Sequence, residues 1–392
     1  MPGRYANSSA VRSDLRCKRC HVAESAVTVR SEPLCRDCFI KYVQTKVVKR
    51  MEAFRVRHST VGKNRKLLLP ISFGVSSVTL LHILSYHLQN QTERTGRTGY
   101  NLHVLFVDTS TAEKDSPTTE RLEQLKQRYP QNTYSMISIA DAFGDRSVLD
   151  MSGDNLELHH QVDGEVSKSN EAKLEDFLAS TSSATSRADI LNILRTRLTV
   201  RFAEDTGCEG VLWGDCTTRL AEKTLAETAK GRGFTLPWQT ADDNSPYGVS
   251  FNYPMRDLLK KELVAHADIV SPPLTSLISN RAPQVSASTK NTTIDELMRQ
   301  YFESVEENYP SIVANVVRTS SKLRAPILQD TDRLCGLCRM PVAEGLFGIH
   351  GWGGDQEAMT LSTDAGSSQD SEGKLCYGCA RSLSNSTALR MS

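Results

Sequence analysis

The sequence predicts an α/β protein built on a doubly wound, mainly parallel sheet. The apolar segment 66–71 is typical of a buried strand, and a short polar turn separates it from a helical pattern over 75–89. A second apolar segment, 102–108, is followed by a helical pattern over 119–129 and a strand-like segment over 133–139. Strands that alternate with helices along the chain favour a parallel sheet covered by helices.

The rest of the chain continues this alternation after a polar interruption. We expect an irregular insertion over 141–180, a helix that begins at Ser186, and a buried strand over 210–215. The segment 271–292 is rich in Ser, Pro and Thr, as in a linker or exposed loop. The expected units are a flexible tail (1–16), a cysteine module with a basic helix (17–60), the α/β domain (61–325) and a second cysteine module (326–392).

The composition is that of a globular protein. Of 392 residues, 39% are apolar and 24% are charged, and the formal net charge is +1. No global field therefore attracts nucleic acid or membrane, so such a partner has to meet a local patch. Residues 1–16 lack the apolar core of a signal peptide, and no apolar run is long enough to span a membrane. We expect a cytosolic protein, in which cysteines are metal ligands more often than disulfides.

Eight of the ten cysteines occur in four C-x-x-C pairs, each called a knuckle below. A knuckle presents two thiolates from one tight turn, and two knuckles complete the tetrahedral ligand set that Zn²⁺ prefers. The spacing predicts two structural zinc sites, because four protein ligands leave no open position. The expected ligands are Cys17, Cys20, Cys35 and Cys38 at the first site and Cys335, Cys338, Cys376 and Cys379 at the second. The alternative is a set of unrelated buried thiols.

A basic helix follows the first cysteine group. Apolar residues recur every three or four positions over 39–54, which predicts one buried face, and Glu52 is the only acid between Lys41 and Lys66. The basic residues are Lys41, Lys46, Lys49, Arg50, Arg55, Arg57, Lys63, Arg65 and Lys66. Two interpretations stay open: a surface for a phosphate backbone, or a solvated helix face.

The order of these features resembles the PP-loop ATP pyrophosphatase fold (adenine nucleotide alpha hydrolase-like) of tRNA-thiolating enzymes. In that family the turn after the first strand has the pattern S-G-G-x-D-S, and here residues 72–77 are Ser-Phe-Gly-Val-Ser-Ser. A second family segment, shaped like G-H-N-A-D-D-x-A-E, is matched by Gly-Asp-Cys-Thr-Thr-Arg-Leu-Ala-Glu at 214–222. With the knuckles at both ends, nearly the whole chain resembles the cytoplasmic tRNA 2-thiolation protein 2 family.

The catalytic positions of active PP-loop enzymes are altered in this chain. Phe73 replaces a glycine of the turn and Ser76 replaces an aspartate, while Thr218 and Arg219 replace the paired aspartates of the second segment. A bulky aromatic residue is strained at φ > 0 and would crowd a phosphate, and the lost acids no longer balance Mg²⁺. Residues 183–186, Ser-Ala-Thr-Ser, stand near the place of a C-x-x-C that assists sulfur transfer in active members. We therefore expect no catalytic residue.

Two cysteines, Cys208 and Cys216, lie outside the knuckles. They stand at opposite ends of one predicted strand, roughly 23 Å apart in extended geometry. We interpret them as small half-buried residues and not as a sulfur relay, and we expect no iron–sulfur cluster or persulfide on this chain alone.

The resemblance implies a subunit of the cytosolic tRNA thiolation complex, which partners an active PP-loop thiolase as a heterodimer and helps to bind tRNA through the basic residues above. The implied reaction is 2-thiolation of the wobble uridine in tRNAs for Lys, Glu and Gln, with sulfur from a thiocarboxylated ubiquitin-related modifier. Ser72, Gly74, Ser76 and Ser77 form a degenerate nucleotide loop that we do not expect to turn over ATP. The alternatives are a divergent ATP-dependent tRNA sulfurtransferase and a zinc-ribbon scaffold that binds only proteins.

Overall fold

The computed structural model describes residues 16–58, 65–112, 118–144, 168–181, 183–279, 292–325, 334–342 and 375–383. The strands are β1 (Val27–Val29), β2 (Glu32–Leu34), β3 (Lys66–Pro70), β4 (Asn101–Asp108), β5 (Thr133–Ser138), β6 (Gly210–Leu212), β7 (Asp243–Asn244) and β8 (Ser250–Asn252). The α-helices are α1 (Arg36–Arg50), α2 (Val75–Thr95), α3 (Thr118–Arg128), α4 (Asn170–Ala179), α5 (Ala184–Asp205), α6 (Thr217–Ala229), α7 (Leu236–Thr240), α8 (Lys260–Ile269), α9 (Ile294–Asn308), α10 (Pro310–Ser320) and α11 (Tyr377–Leu383).

The structure confirms the mainly parallel sheet. Six strands pair in the order β5-β4-β3-β6-β8-β7, and only β7 and β8 pair antiparallel. The chain builds outward from β3 to β5 and then places β6 on the other side of β3, so the strand order reverses between β3 and β6. Ligands of open α/β sheets bind outside the carboxyl ends of the strands at such a reversal. The loops after β3 and β6 therefore mark the candidate site.

The central strand β3 is buried on both faces. Leu68 belongs to one hydrophobic cluster, and Leu67 and Leu69 belong to another, because successive side chains of a strand point to opposite faces. The first cluster contains residues of α4, α5, α6, α9, α10 and α11, and the second contains residues of α1, α2, α3 and α8. This two-sided burial explains why the strand sequence is continuously apolar.

Three sequence-based boundaries are wrong. The segment 141–180 is not irregular throughout, because its last part forms α4 and buries Leu174 and Phe177. Helix α5 begins before Ser186, since the Ser183 side chain accepts a hydrogen bond from the Ser186 N–H and caps the helix. Strand β6 ends at Leu212, so the expected strand over 210–215 is too long. Residues 145–167 and 280–291 lie outside the described part of the chain.

We expect acid to destabilise the fold through His82 and His266. The His266 ring is fully buried, its nitrogens have no hydrogen-bond partner among the described residues, and its centroid lies 6.1 Å from that of His82. Burial lowers the pKa of each imidazole to about 4, with a further effect of Arg128 on His82 and of His82 on His266. The ordinary value is about 6.5, so the unfolded chain takes up these protons first. The free energy of unfolding then falls as the pH is lowered from about 6.5 to 4. Each histidine contributes up to about 1.4 kcal/mol per pH unit to this fall.

Urea unfolding at several pH values between about 7 and 5 measures this slope. The His266→Phe variant should show a shallower slope, and a variant of exposed His58, His58→Gln, should keep the slope of the unmodified protein. Equal slopes in all three proteins would contradict the role of the buried pair.

Candidate functional site

A cleft of about 970 Å³ opens at the carboxyl ends of β3 and β6. Its walls include the loop 72–77 after β3 and the loop 213–216 after β6, together with side chains of α5, α6 and α9. The two loops are in close contact, because a Cβ atom added to Gly214 would lie 3.0 Å from the Ser77 Cα atom. The structure thus brings together the two segments that the sequence indicates.

The loop after β3 holds Phe73 in a backbone conformation that favours glycine. The φ angle of Phe73 is 55°, which is an outlier for a bulky side chain. The ring is buried beside Phe106, with centroids 5.2 Å apart, and the Phe73 carbonyl accepts a 2.8 Å hydrogen bond from the Ser279 N–H. Packing of the ring and this hydrogen bond offset the local strain.

The serine hydroxyls of the same loop bond within the loop. Ser77 Oγ accepts from the Ser72 N–H at 3.3 Å and donates to the Gly74 carbonyl at 3.1 Å. No side chain caps α2 at Gly74, so the first N–H groups of that helix keep the partial positive charge of a helix N-terminus. The backbone features of a phosphate loop are present, but no acid stands within residues 72–77 to bind a metal ion.

Thr218 and Arg219 take different places at the start of α6. Thr218 is buried, donates a hydrogen bond to the Glu306 carboxylate on α9, and accepts one from the Lys260 N–H at 3.0 Å. Arg219 lines the cleft and its Nη1 donates to Glu222 Oε2 at 2.9 Å. Burial raises the pKa of Glu222, and Arg219 opposes this rise. A cation paired with one acid therefore lines the cleft at the start of α6.

Neither cysteine outside the knuckles is a ready nucleophile. Cys216 lines the cleft but is buried, and burial raises its pKa to about 11 despite opposing hydrogen bonds from Arg219 and Ser76. Cys208 is also buried, which raises its pKa. A thiol with a raised pKa carries little thiolate at neutral pH. Both side chains are more buried than the half-buried residues that we expected.

A buried ion-pair network forms another wall of the cleft. Lys230 contacts Asp189 at 3.1 Å, Glu227 at 2.6 Å and Asp295 at 3.2 Å, and Arg232 also binds Asp189 and Glu227. Burial opposes ionisation of Glu227, but the two cations lower its pKa to about 2. The network joins α5, α6 and α9 through charges that would be costly if left unpaired.

Both predicted cysteine groups come together in the fold. In each group the four Sγ atoms lie within 4.8 Å of one another. The Cys376 N–H donates to Cys335 Sγ at 3.3 Å, as in other sites where backbone N–H groups stabilise thiolates. Four converging thiols fit a tetrahedral metal ion, so both groups are suitable for zinc or another thiophilic metal.

Part of the predicted basic surface serves to dock α1. Arg50 donates to both carboxylate oxygens of Asp257, at 2.7 and 3.1 Å, and Lys46 donates to the Asp257 carbonyl at 2.9 Å. Burial alone would raise the pKa of Asp257, but the bonds from Arg50 outweigh it and lower the pKa. Arg50 and Lys46 are therefore contacts between α1 and the segment before α8.

The other basic residues differ in their surroundings. Arg55 and Arg57 bind Glu52, Arg65 binds Glu209 at 2.7 Å, Lys66 reaches the Thr206 carbonyl at 3.5 Å, and Lys63 lies outside the described residues. Lys41 and Lys49 are exposed and have no ionic partner among the described residues. These two lysines are the members of the set that remain open to an anionic partner.

Comparison with known proteins assigns the family. A family model described as "Cytoplasmic tRNA 2-thiolation protein 2" matches residues 293–381. A relative of that name from Phaeosphaeria nodorum is 49% identical over 387 residues, which are 98% of this chain and 97% of the relative. The chain belongs to the cytoplasmic tRNA 2-thiolation protein 2 family. A member from Pyrenophora tritici-repentis is 47% identical, over 95% of this chain and 95% of the relative. A member from Coccidioides immitis is 40% identical, over 94% of this chain and 96% of the relative.

A solved structure supports the fold. The U34-tRNA thiolase NcsA from Methanococcus maripaludis, described with its [4Fe-4S] cluster, superposes with a TM-score of 0.56 at 15% identity, over 85% of this chain and 95% of that chain. This likeness confirms the PP-loop fold that the sequence motifs indicate. Membership of the cytoplasmic tRNA 2-thiolation protein 2 family implies a part in cytoplasmic tRNA 2-thiolation and confirms the expected location. None of the helices in the described part of the chain has both the length and the apolar content to cross a bilayer.

Sequence reasoning missed two acids that contact residues at and beside the cleft. Glu306 accepts from Thr218 and, at 2.7 Å, from the Lys261 N–H, and Asp295 reaches Lys230. Both acids lie on α9, and their partners are distant in sequence. No local pattern signals such pairs.

The Glu306 contacts should matter for stability. Glu306→Ala leaves the buried Thr218 hydroxyl and the Lys261 N–H without an acceptor, and the expected loss in free energy of unfolding is about 2–3 kcal/mol. Urea unfolding measures it, and its matched control is Glu307→Ala at the exposed neighbouring position. An equal, small effect of both substitutions would show that the contact is not needed.

Proposed function

We propose that this chain is the non-catalytic subunit of a heterodimer with an active PP-loop tRNA thiolase. The complex would 2-thiolate the wobble uridine of tRNA with sulfur from a thiocarboxylated ubiquitin-related modifier. The observation that carries the proposal is the start of α6 beside the cleft, where the buried Thr218 hydroxyl is bonded to Glu306 and Arg219 is paired with Glu222. The fold is retained, while Thr218 and Arg219 stand at the positions of the paired acids that the family resemblance implies.

The residues at the altered positions 76 and 219 do not offer ligands for Mg²⁺. Magnesium prefers carboxylate and phosphate oxygens, whereas Arg219 brings a positive charge and Ser76 offers only a hydroxyl. The carboxylate of Asp215 already faces Lys223 at 3.8 Å. We therefore assign no step of ATP chemistry to this chain. Adenylation and sulfur transfer would take place on the partner.

The two cysteine groups suit structural zinc. Each offers four thiols and no open position for a substrate. Cys17, Cys20, Cys35 and Cys38 would fix the module that carries α1, and Cys335, Cys338, Cys376 and Cys379 would fix the C-terminal segment. Neither metal takes part in a chemical step.

We propose that α1 contributes to tRNA binding through Lys41 and Lys49. They are exposed on the helix, whereas Lys46 and Arg50 are occupied by Asp257. Lysines that neutralise phosphates release counterions, so their contribution depends on salt.

Reconstituted thiolation with the active partner tests the non-catalytic role. The Ser76→Ala and Arg219→Ala variants should leave the single-turnover rate of tRNA thiolation unchanged within about twofold, because the chemistry lies elsewhere. A substitution in the partner's own phosphate loop serves as the positive control and should abolish turnover. A loss of about tenfold or more in either variant, with assembly intact by size-exclusion chromatography, would favour a divergent sulfurtransferase.

Charge reversal tests the RNA surface. The Lys41→Glu/Lys49→Glu variant should weaken tRNA binding by the complex about tenfold at low salt and reduce the slope of log K against log salt by roughly 0.7–0.9 per lysine. The control, Lys126→Glu/Lys322→Glu, changes the net charge equally on α3 and after α10. If the affinity and the salt slope of the α1 variant are unchanged, Lys41 and Lys49 belong to a solvated helix face and do not bind tRNA.

A further inference from the structure

The two cysteine groups differ in burial. All four cysteines of the C-terminal group are buried, and they belong to the same hydrophobic cluster as Leu68 of β3 and Ile190 of α5. In the N-terminal group Cys17 and Cys35 are buried in the cluster of Leu67 and Leu69, whereas Cys20 and Cys38 are partly exposed. The C-terminal group is therefore part of the core of the α/β domain, among the described residues.

The first C-terminal knuckle is bound by α5. The Arg197 side chain is 6% exposed, and its Nη1 donates to the Leu337 carbonyl between Cys335 and Cys338 at 2.8 Å. Tyr247 Oη donates to the Cys338 carbonyl at 2.7 Å. Both donors come from the α/β domain, so the backbone of this knuckle is fixed from outside its own segment.

The second C-terminal knuckle packs directly on Arg232. A Cβ atom added to Gly378 would lie 2.5 Å from Arg232 Cγ, so only glycine fits at position 378 of this knuckle. Arg232 is buried, and its Nη1 has no hydrogen-bond partner among the described residues. Its other contacts are the carboxylates of Glu227 and Asp189.

The ion-pair network reaches the same segment from the other side. Ser382 on α11 donates to Asp189 Oδ2 at 2.7 Å, and Asp189 also binds Arg232. Four thiolates on one Zn²⁺ leave a net charge of about −2, which is costly in a buried environment unless cations lie nearby. Arg197 and Arg232 are buried cations placed one beside each knuckle.

We propose that Arg197 and Arg232 position the C-terminal metal site from the α/β domain, so that its metal leaves only when that domain opens, whereas the N-terminal metal, whose ligands Cys20 and Cys38 are partly exposed, leaves faster. The inference rests on the proposed function only in taking both groups as zinc sites. It also concerns the cleft, because Arg232, Cys338 and Met340 line it. Loss of the C-terminal metal would therefore remove part of the cleft wall.

Metal release from the full-length chain tests the inference without tRNA or partner. Elemental analysis should find about two zinc ions per chain. On addition of a chelator, one zinc should leave quickly and expose Cys17, Cys20, Cys35 and Cys38 to alkylation, as mapped by mass spectrometry. The second should leave at the rate of unfolding, measured in parallel by urea jumps, and only then should the C-terminal cysteines react. Alkylation of both groups in one fast phase, or fewer than two zinc ions with reactive C-terminal thiols, would overturn the proposal.

Variants separate charge from packing. Arg197→Gln and Arg232→Gln should speed release of the slow zinc about tenfold or more, and Arg232→Lys should restore part of the slow phase because it keeps the charge. The matched control is Arg201→Gln. Arg201 lies one turn after Arg197 on α5 and pairs with Asp205 on the surface. Release rates equal to those of the control would overturn the role of the arginines. If the Gln variants do not fold, the order of release in the unmodified chain decides the proposal. Thiolation activity is measured separately, so failure here leaves the catalytic assignment standing.

Discussion

The arrangement of the molecule depends on the burial of β3 on both faces. Leu68 faces one hydrophobic cluster and Leu67 and Leu69 face the other, so helices must cover both sides of the sheet. The same strand position fixes the point at which strand order reverses, and the cleft opens there. Gly214 can then approach Ser77 closely enough to join the two loops that form the site. The location of the cleft is therefore a consequence of how the core is divided.

The backbone and the side chains of the cleft differ in the ligands that they suit. The loop after β3 keeps a positive φ angle at Phe73 and an uncapped helix N-terminus, which are backbone features suited to phosphate. Positions 218 and 219 offer no carboxylate: Thr218 is buried against Glu306, and Arg219 pairs with Glu222. Backbone geometry is maintained by packing, so it persists when catalytic side chains are replaced.

Sequence patterns predicted what depends on local periodicity and spacing. The apolar stripe of α1, the strands of the sheet and the membership of both cysteine groups are of this kind. Helix α4 was missed because its buried residues Leu174 and Phe177 stand among polar residues in the sequence, so their helical spacing gives a weak pattern. The pairing of Arg50 with Asp257 was missed because the two are 207 residues apart. Such contacts follow from the assembled fold and have no signal in a short window, so the sequence did not indicate that Lys46 and Arg50 contact Asp257.

The segment matched by the family model, residues 293–381, supplies the side chains that occupy the altered positions of the cleft. Glu306 binds Thr218, Asp295 binds Lys230, and the C-terminal knuckles pack on Arg197 and Arg232. These contacts join Thr218 and Lys230 to α9, and Arg197 and Arg232 to the C-terminal cysteine group. The segment thus stabilises the fold through contacts at and beside the cleft. The same residues therefore account for both the stability of the domain and its proposed dependence on an active partner.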